Sequence, residues 1–128
     1  MSENIYNDEE KGIVKISDEV VGVIAGLAAA EIKGIVGMSS GIVGGFTEIL
    51  SGKKNFSKGV RVNLAEDNSS IDLFVVVEYG IKIHEVAKSA QENVKKAVES
   101  MTGLQVDSVN VFVQNVELPK REEELLEE

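Results

Sequence analysis

Two stretches near the middle of the chain alternate between apolar and polar or outward positions. Val60, Val62 and Leu64 interleave with Arg61, Asn63 and Ala65. After the polar run Glu66-Asp67-Asn68-Ser69-Ser70, the chain resumes with Ile71, Leu73, Val75, Val77 and Tyr79 set against Asp72, Phe74, Val76 and Glu78. A period of two places one set of side chains on one face of a strand, and two such runs around turn-forming residues predict an antiparallel hairpin. The period then changes. Ile83, Val86, Ala87, Ala90, Val94, Ala97, Val98 and Met101 recur at helical spacing, with Lys88, Glu92, Lys95, Lys96 and Glu99 on the other side and Glu92–Lys96 at the i,i+4 distance of an ion pair. Gly103 is placed to cap this helix. A last alternation, Val109, Val111 and Val113 against Asn110, Phe112 and Gln114, predicts a strand that Pro119 stops.

The first half is less regular. Gly12-Ile13-Val14-Lys15-Ile16 reads as a short strand. Ser17 follows as a helix N-cap, with Asp18 and Glu19 at the positive end of the helix dipole. The helix runs to about Ala30 and carries two stripes: Val20, Ile24 and Leu27 with Val23 nearby, and the small residues Gly22, Ala25, Gly26 and Ala29. The small stripe predicts close approach to a neighbouring element. Ile35-Val36-Gly37-Met38 predicts a further short strand. Residues 39–59 form a Gly/Lys-rich loop in which Phe46–Leu50 has room for one helical turn. The element order β-α-(β)-β-β-α-β predicts an α+β fold: a small two-layer sandwich with two helices on one face of a mainly antiparallel sheet. The expected organisation is one domain over residues 12–118, between an acidic flexible tail at 1–11 and a second acidic tail at 119–128.

Composition changes this picture mainly by exclusion. The net charge of −9 is concentrated at the ends. Residues 1–10 hold four acids and no base, residues 117–128 hold six glutamates against Lys120 and Arg121, and the body holds 12 acids against 11 bases. A nearly neutral body argues against duplex nucleic acid, whose non-specific affinity comes from charge neutralisation. The chain contains no cysteine, which suits a reducing, cytoplasmic setting, and Met1–Glu10 has no signal-peptide pattern. The apolar run beginning at Val20 is broken by Glu31 and Lys33, shorter than the roughly 20 residues a membrane span requires.

A search for chemistry returns little. His84 is the only histidine, and no motif sets a nucleophile beside it. Asp72 and Glu78 share a strand face but lie about 20 Å apart along it, too far for paired-carboxylate catalysis. The glycines of 37–45 lack the Gly-Lys-Ser/Thr ending of a phosphate loop, and Gly34-Ile35-Val36-Gly37 and Gly41-Ile42-Val43-Gly44 match the Gly-x-x-Gly of an RNA-binding loop without basic neighbours. The residues therefore predict no catalytic, cofactor-binding or metal-ligating set, and no enzyme. Two surfaces stand out instead. Lys53, Lys54, Lys58 and Arg61 form a basic cluster with no acid from Ser51 through Asn63. It suits an acidic partner, an anionic lipid surface, a neighbour's acidic tail or nucleic acid, or simply a solvated loop. Phe74, Val76 and Phe112 fall on strand faces opposite the predicted core and would form an apolar patch suited to self-association.

Several stretches, in order, resemble the alkaline shock protein family of Gram-positive bacteria, also called envelope stress response proteins. They are Gly12–Val20, Gly34–Met38, Asn55–Val60, Val77–Gly80, Ile83–Ala87 and Val106–Val113. The resemblance spans about Gly12 to Val116 and leaves out both tails. It implies a small, non-enzymatic cytosolic protein that self-associates and binds other proteins, including a membrane-anchored partner. The implied setting is cell-envelope homeostasis or, in another branch, fatty-acid metabolism. It carries over no catalytic or ligand-binding residue. The alternative from a different class is a nucleic-acid or anionic-lipid binding module using Lys53–Arg61.

Overall fold

The computed structural model describes residues 4–8, 11–39, 58–65 and 68–119. In chain order the elements are β1 (Asn4–Asp8), β2 (Gly12–Ile16), α1 (Asp18–Ala30), β3 (Ile35–Met38), β4 (Val60–Asn63), β5 (Ser70–Glu78), α2 (Ile83–Thr102) and β6 (Ser108–Glu117). The α+β class is as expected. The order gains one strand at the front, because β1 lies within the residues expected to form an acidic tail. It pairs antiparallel with β2, Asn4 opposite Ile16 and Asp8 opposite Gly12. Counting charge over residues 1–10 hides Ile5 and Tyr6, whose side-chain types favour strands. The β1–β2 pair forms a separate two-stranded sheet.

In the main sheet β5 is the organising strand. β4 pairs antiparallel with its first half and β3 antiparallel with its second half. The expected hairpin is thus present, with Val60 opposite Leu73 and Val62 opposite Ile71. On the other edge β6 runs parallel to β5, Phe74 opposite Phe112 and Val75 opposite Val113. Parallel pairing follows from the α2 crossover, since two parallel neighbours need a connection long enough to return the chain to its starting end.

β3 and β4 lie end to end along one edge of β5. Met38 faces Val75 and Val60 faces Leu73, with Phe74 between them. The Phe74 N–H donates to the Gly59 carbonyl at 2.7 Å, and the Phe74 carbonyl accepts from the Ser39 N–H, also at 2.7 Å. The loop expected at 39–59 therefore leaves the sheet and returns to it at a single residue of β5. Its interior, including the helical turn expected at Phe46–Leu50, lies outside the described residues, as does the tail from Lys120 onward.

The core sits between the sheet and the two helices. Ile71, Leu73, Val75 and Val77 are buried on the inner face of β5, against Ala90, Val94 and Val98 of α2 and Val21, Ala25, Ala28 and Ala29 of α1. Each large aliphatic side chain fully removed from water contributes about 1.5–3 kcal/mol before chain entropy is set against it. On α1 it is the small stripe that turns inward. The buried residues are Val21, Gly22, Ala25, Gly26, Ala28 and Ala29, whereas Val20 and Leu27 are exposed. A helix this close to its neighbours favours small side chains at most contact positions, with Val21 the large residue fully buried there; Val20 and Leu27 turn outward, while Ile24 still packs against the core. Ser17 caps the helix, its Oγ accepting from the Val20 N–H at 3.3 Å.

On α2 the expected apolar face holds in the middle and fails at the ends. Ile83 and Met101 are exposed, and so is Tyr79, which lies one residue past β5. Thr102 takes the buried place in the last turn, four residues after Val98. Its Oγ1 donates to the Val98 carbonyl at 2.6 Å and accepts from the Leu104 N–H at 3.1 Å. Gly103 then adopts the left-handed conformation, φ 77°, expected of a helix C-cap. The ion pair formed on this helix is Lys95–Glu99 at 3.6 Å, not Glu92–Lys96. The geometry explains the choice: Lys95 Nζ also donates to the Val106 carbonyl at 2.7 Å and Glu99 Oε2 accepts from the Val106 N–H at 2.9 Å. These contacts hold the segment leading into β6.

Candidate interaction site

With both helices on the inner face, the outer face of the sheet is built from the alternate positions of β5 and its neighbours. From β5 come Asp72, Phe74, Val76 and Glu78, all on one side because the strand repeats every two residues. β4 supplies Arg61 opposite Asp72, and β6 supplies Asn110 opposite Asp72 and Phe112 opposite Phe74. Adjacent strands are about 4.8 Å apart. That spacing brings the two aromatic rings into a stack, with centroids 5.0 Å apart and planes 17° from parallel.

The stack is held on two sides. The Arg61 guanidinium carbon lies over the Phe74 ring, 5.4 Å from its centroid, within reach of a cation–π attraction. Toward the start of β6, Asn110 Nδ2 donates to Asp72 Oδ1 at 2.8 Å. Toward the other end, Val76 continues the apolar row and is half-buried. Phe112 remains 43% exposed. The patch expected from the sequence, Phe74, Val76 and Phe112, is thus brought together on one face, ordered by the parallel register.

The basic cluster is placed only in part. Lys58 precedes β4 and Arg61 lies within it, whereas Lys53 and Lys54 fall outside the described residues. Arg61 belongs to the aromatic row rather than to a separate cationic site. In the sequence these residues belong to two separate expected surfaces. The hairpin brings Arg61 beside Phe74, whereas the addition of Phe112 depends on β6 lying parallel to β5, for which the chain carries no local signal.

His84 is exposed in the first turn of α2. Among the described residues, no group of three or more His, Cys, Asp or Glu side chains could hold a metal ion. Among the described residues, two surface depressions lie along α2. One of about 350 Å³ is lined by residues including Gln91, Lys95, Asp107 and Asn110 at the start of β6. Several of its polar groups are already engaged: Gln91 Nε2 donates to the Val109 carbonyl at 2.9 Å, and Asp107 Oδ2 accepts from the Ser69 N–H at 2.7 Å. No described helix is long and apolar enough to cross a membrane.

The sequence pattern of the alkaline shock protein 23 family, a family with a cell envelope-related function, matches residues 6–118. The uncharacterized protein YloU of Bacillus subtilis (strain 168) is 49% identical over 107 residues, covering 82% of this chain and 88% of that one. The uncharacterized protein YqhY of the same strain is 37% identical over 120 residues, covering 94% and 88%. A stress response regulator gls24 homolog of Streptococcus pyogenes serotype M3 (strain SSI-1) is 28% identical over 106 residues, covering 83% of this chain and 59% of that protein. No solved structure matches. Neither the family's description nor these names indicate an enzyme.

Proposed function

Because the chain belongs to the alkaline shock protein 23 family, whose function is cell envelope-related, we propose that it acts by association rather than catalysis, binding copies of itself through the outer face of its sheet. The observation that carries this reading is the stacked Phe74–Phe112 pair on the face opposite both helices, with Phe112 43% exposed. Aromatic rings left partly in water gain free energy when a second surface covers them, and their mutual stacking holds them in a preformed position for that contact. Arg61 and the Asp72–Asn110 pair supply a polar border to that contact. Other proteins, including a membrane-anchored partner on the cytoplasmic side, are the natural second class of binder for such a scaffold in cell-envelope homeostasis. The stacked rings, and the placing of Arg61 over Phe74, favour this reading over an anionic-ligand reading built on Lys53–Arg61.

The test is the double variant Phe74→Lys/Phe112→Lys, compared with the wild type by light scattering and sedimentation. The expected result is an oligomeric wild type and a variant reduced to the 13.8 kDa monomer with its circular dichroism retained. An oligomer of unchanged size in a folded variant rejects this surface.

A further inference from the structure

β6 is a ten-residue strand at the edge of the main sheet, paired on one side only among the described residues. Which of its backbone groups point away from β5 follows from the pairing. The N–H and carbonyl of Phe74 are committed to Gly59 and Ser39 on the β4/β3 side. By alternation, the groups of Leu73 and Val75 point toward β6. In a parallel pair the residue directly opposite such a position turns its own groups the other way. Val111 is opposite Leu73 and Val113 is opposite Val75. The N–H and carbonyl of Val111 and of Val113 therefore face the open edge.

On either side of these residues one backbone group is already engaged. The Val109 carbonyl, which points the same way, accepts from Gln91 Nε2 at 2.9 Å. Past the register shift between Val75 and Val76, the Val116 N–H is taken by the Asn115 side chain at 2.8 Å. These side-chain caps flank a window of two donors and two acceptors, those of Val111 and Val113, centred on Phe112. Exposed edges are ordinarily blunted by charge or proline. Here Ser108 through Val116 contains neither a charged residue nor a proline.

We propose that this window pairs with the same window of a second copy of the chain, antiparallel about a two-fold axis through Phe112. The match is self-complementary. Val111 of one copy lies opposite Val113 of the other, each pair exchanging two hydrogen bonds, so that all four open groups on each chain are used. The two copies of Phe112 become directly opposed as the non-hydrogen-bonded pair, with Cα atoms about 4.5 Å apart. The aromatic row then runs unbroken from the Phe74 of one copy to the Phe74 of the other. On the inner face Val113, 36% exposed in the single chain, packs against Val111. The absence of charge from this stretch means that no like charges oppose one another across the axis. This arrangement rests on the self-association reading above and specifies its geometry.

The chain contains no cysteine, so single cysteines report distance cleanly. Phe112→Cys should form a disulfide-linked dimer on mild oxidation, because the opposed Cα separation lies within the range a disulfide spans. Asn110→Cys, on the same face, should not, because the two copies would be offset by four residues or about 13 Å along the strand. Val113→Pro removes an N–H that β5 does not use; it should abolish dimerisation while leaving the thermal unfolding of the monomer cooperative. Equal cross-linking of both cysteines, or a Val113→Pro protein that stays dimeric, overturns the edge pairing. If in that case Phe74→Lys/Phe112→Lys still yields monomers, association through the face survives and only the edge geometry falls. A wild type that is monomeric at every concentration overturns both.

Discussion

Gly59 stands at the junction where the chain returns to Phe74 of β5, and replacing it by alanine gives a sharp test of how the aromatic row is held. Its φ is +80°, and a Cβ there would lie 2.9 Å from Met38 Cβ, 3.0 Å from the Ser39 carbonyl oxygen and 3.1 Å from that of Phe74. Two of the three neighbours are backbone atoms of the junction itself and cannot swing aside. A left-handed conformation costs a residue with a Cβ about 1–2 kcal/mol. Crowding of fixed atoms adds about 1–3 kcal/mol. Gly59→Ala should therefore destabilise the protein by about 2–5 kcal/mol, a fall of roughly 8–20 °C in melting temperature for a domain of this size. The assay is thermal and urea unfolding beside Gly37→Ala as a control. Gly37 also sits at the sheet edge, but a Cβ there meets nothing within 4 Å. Its replacement should change stability by no more than about 0.5 kcal/mol. Because the Gly59 carbonyl accepts from the Phe74 N–H, the damage should also reach the stacked pair and weaken self-association. Equal stabilities for the two variants would refute the account of the junction.

Other substitutions probe separate parts of the fold. Ala25→Leu introduces bulk on the fully buried small stripe of α1 and should cost about 1–3 kcal/mol in chemical denaturation. Leu27→Ala, on the exposed stripe of the same helix, should cost well under 1 kcal/mol in the same experiment. Asp107 and Ser69 exchange two bonds, Ser69 N–H to Asp107 Oδ2 at 2.7 Å and Asp107 N–H to the Ser69 carbonyl at 2.8 Å. Asp107→Ala removes the first and should lower stability by about 1 kcal/mol, read from the urea midpoint. His84→Ala, at an exposed position, should leave stability within about 0.5 kcal/mol and should complement a deletion strain fully.

The sequence by itself determined the elements whose information is local. Alternation from Val60 to Glu78 specified β4, β5 and their pairing, because one polar turn joins them and leaves no other short-range partner. The caps at Ser17 and Gly103 were legible for the same reason: each acts on residues within a turn or two. Phe74, Val76 and Phe112 could be assigned to the outer face from parity alone. Tertiary structure decided what parity cannot. It chose the small stripe of α1 over the larger one, because burial depends on how closely a neighbour approaches and not on hydrophobicity within the helix. It also made β1 a strand, which the acidity of residues 1–10 concealed. By running β6 parallel to β5, it set Phe112 beside Phe74, and by laying β4 on the other edge it brought Arg61 over the same ring. The open window at Val111–Val113 is likewise a product of pairing, since a backbone group is free or used only in relation to a strand far away in the chain.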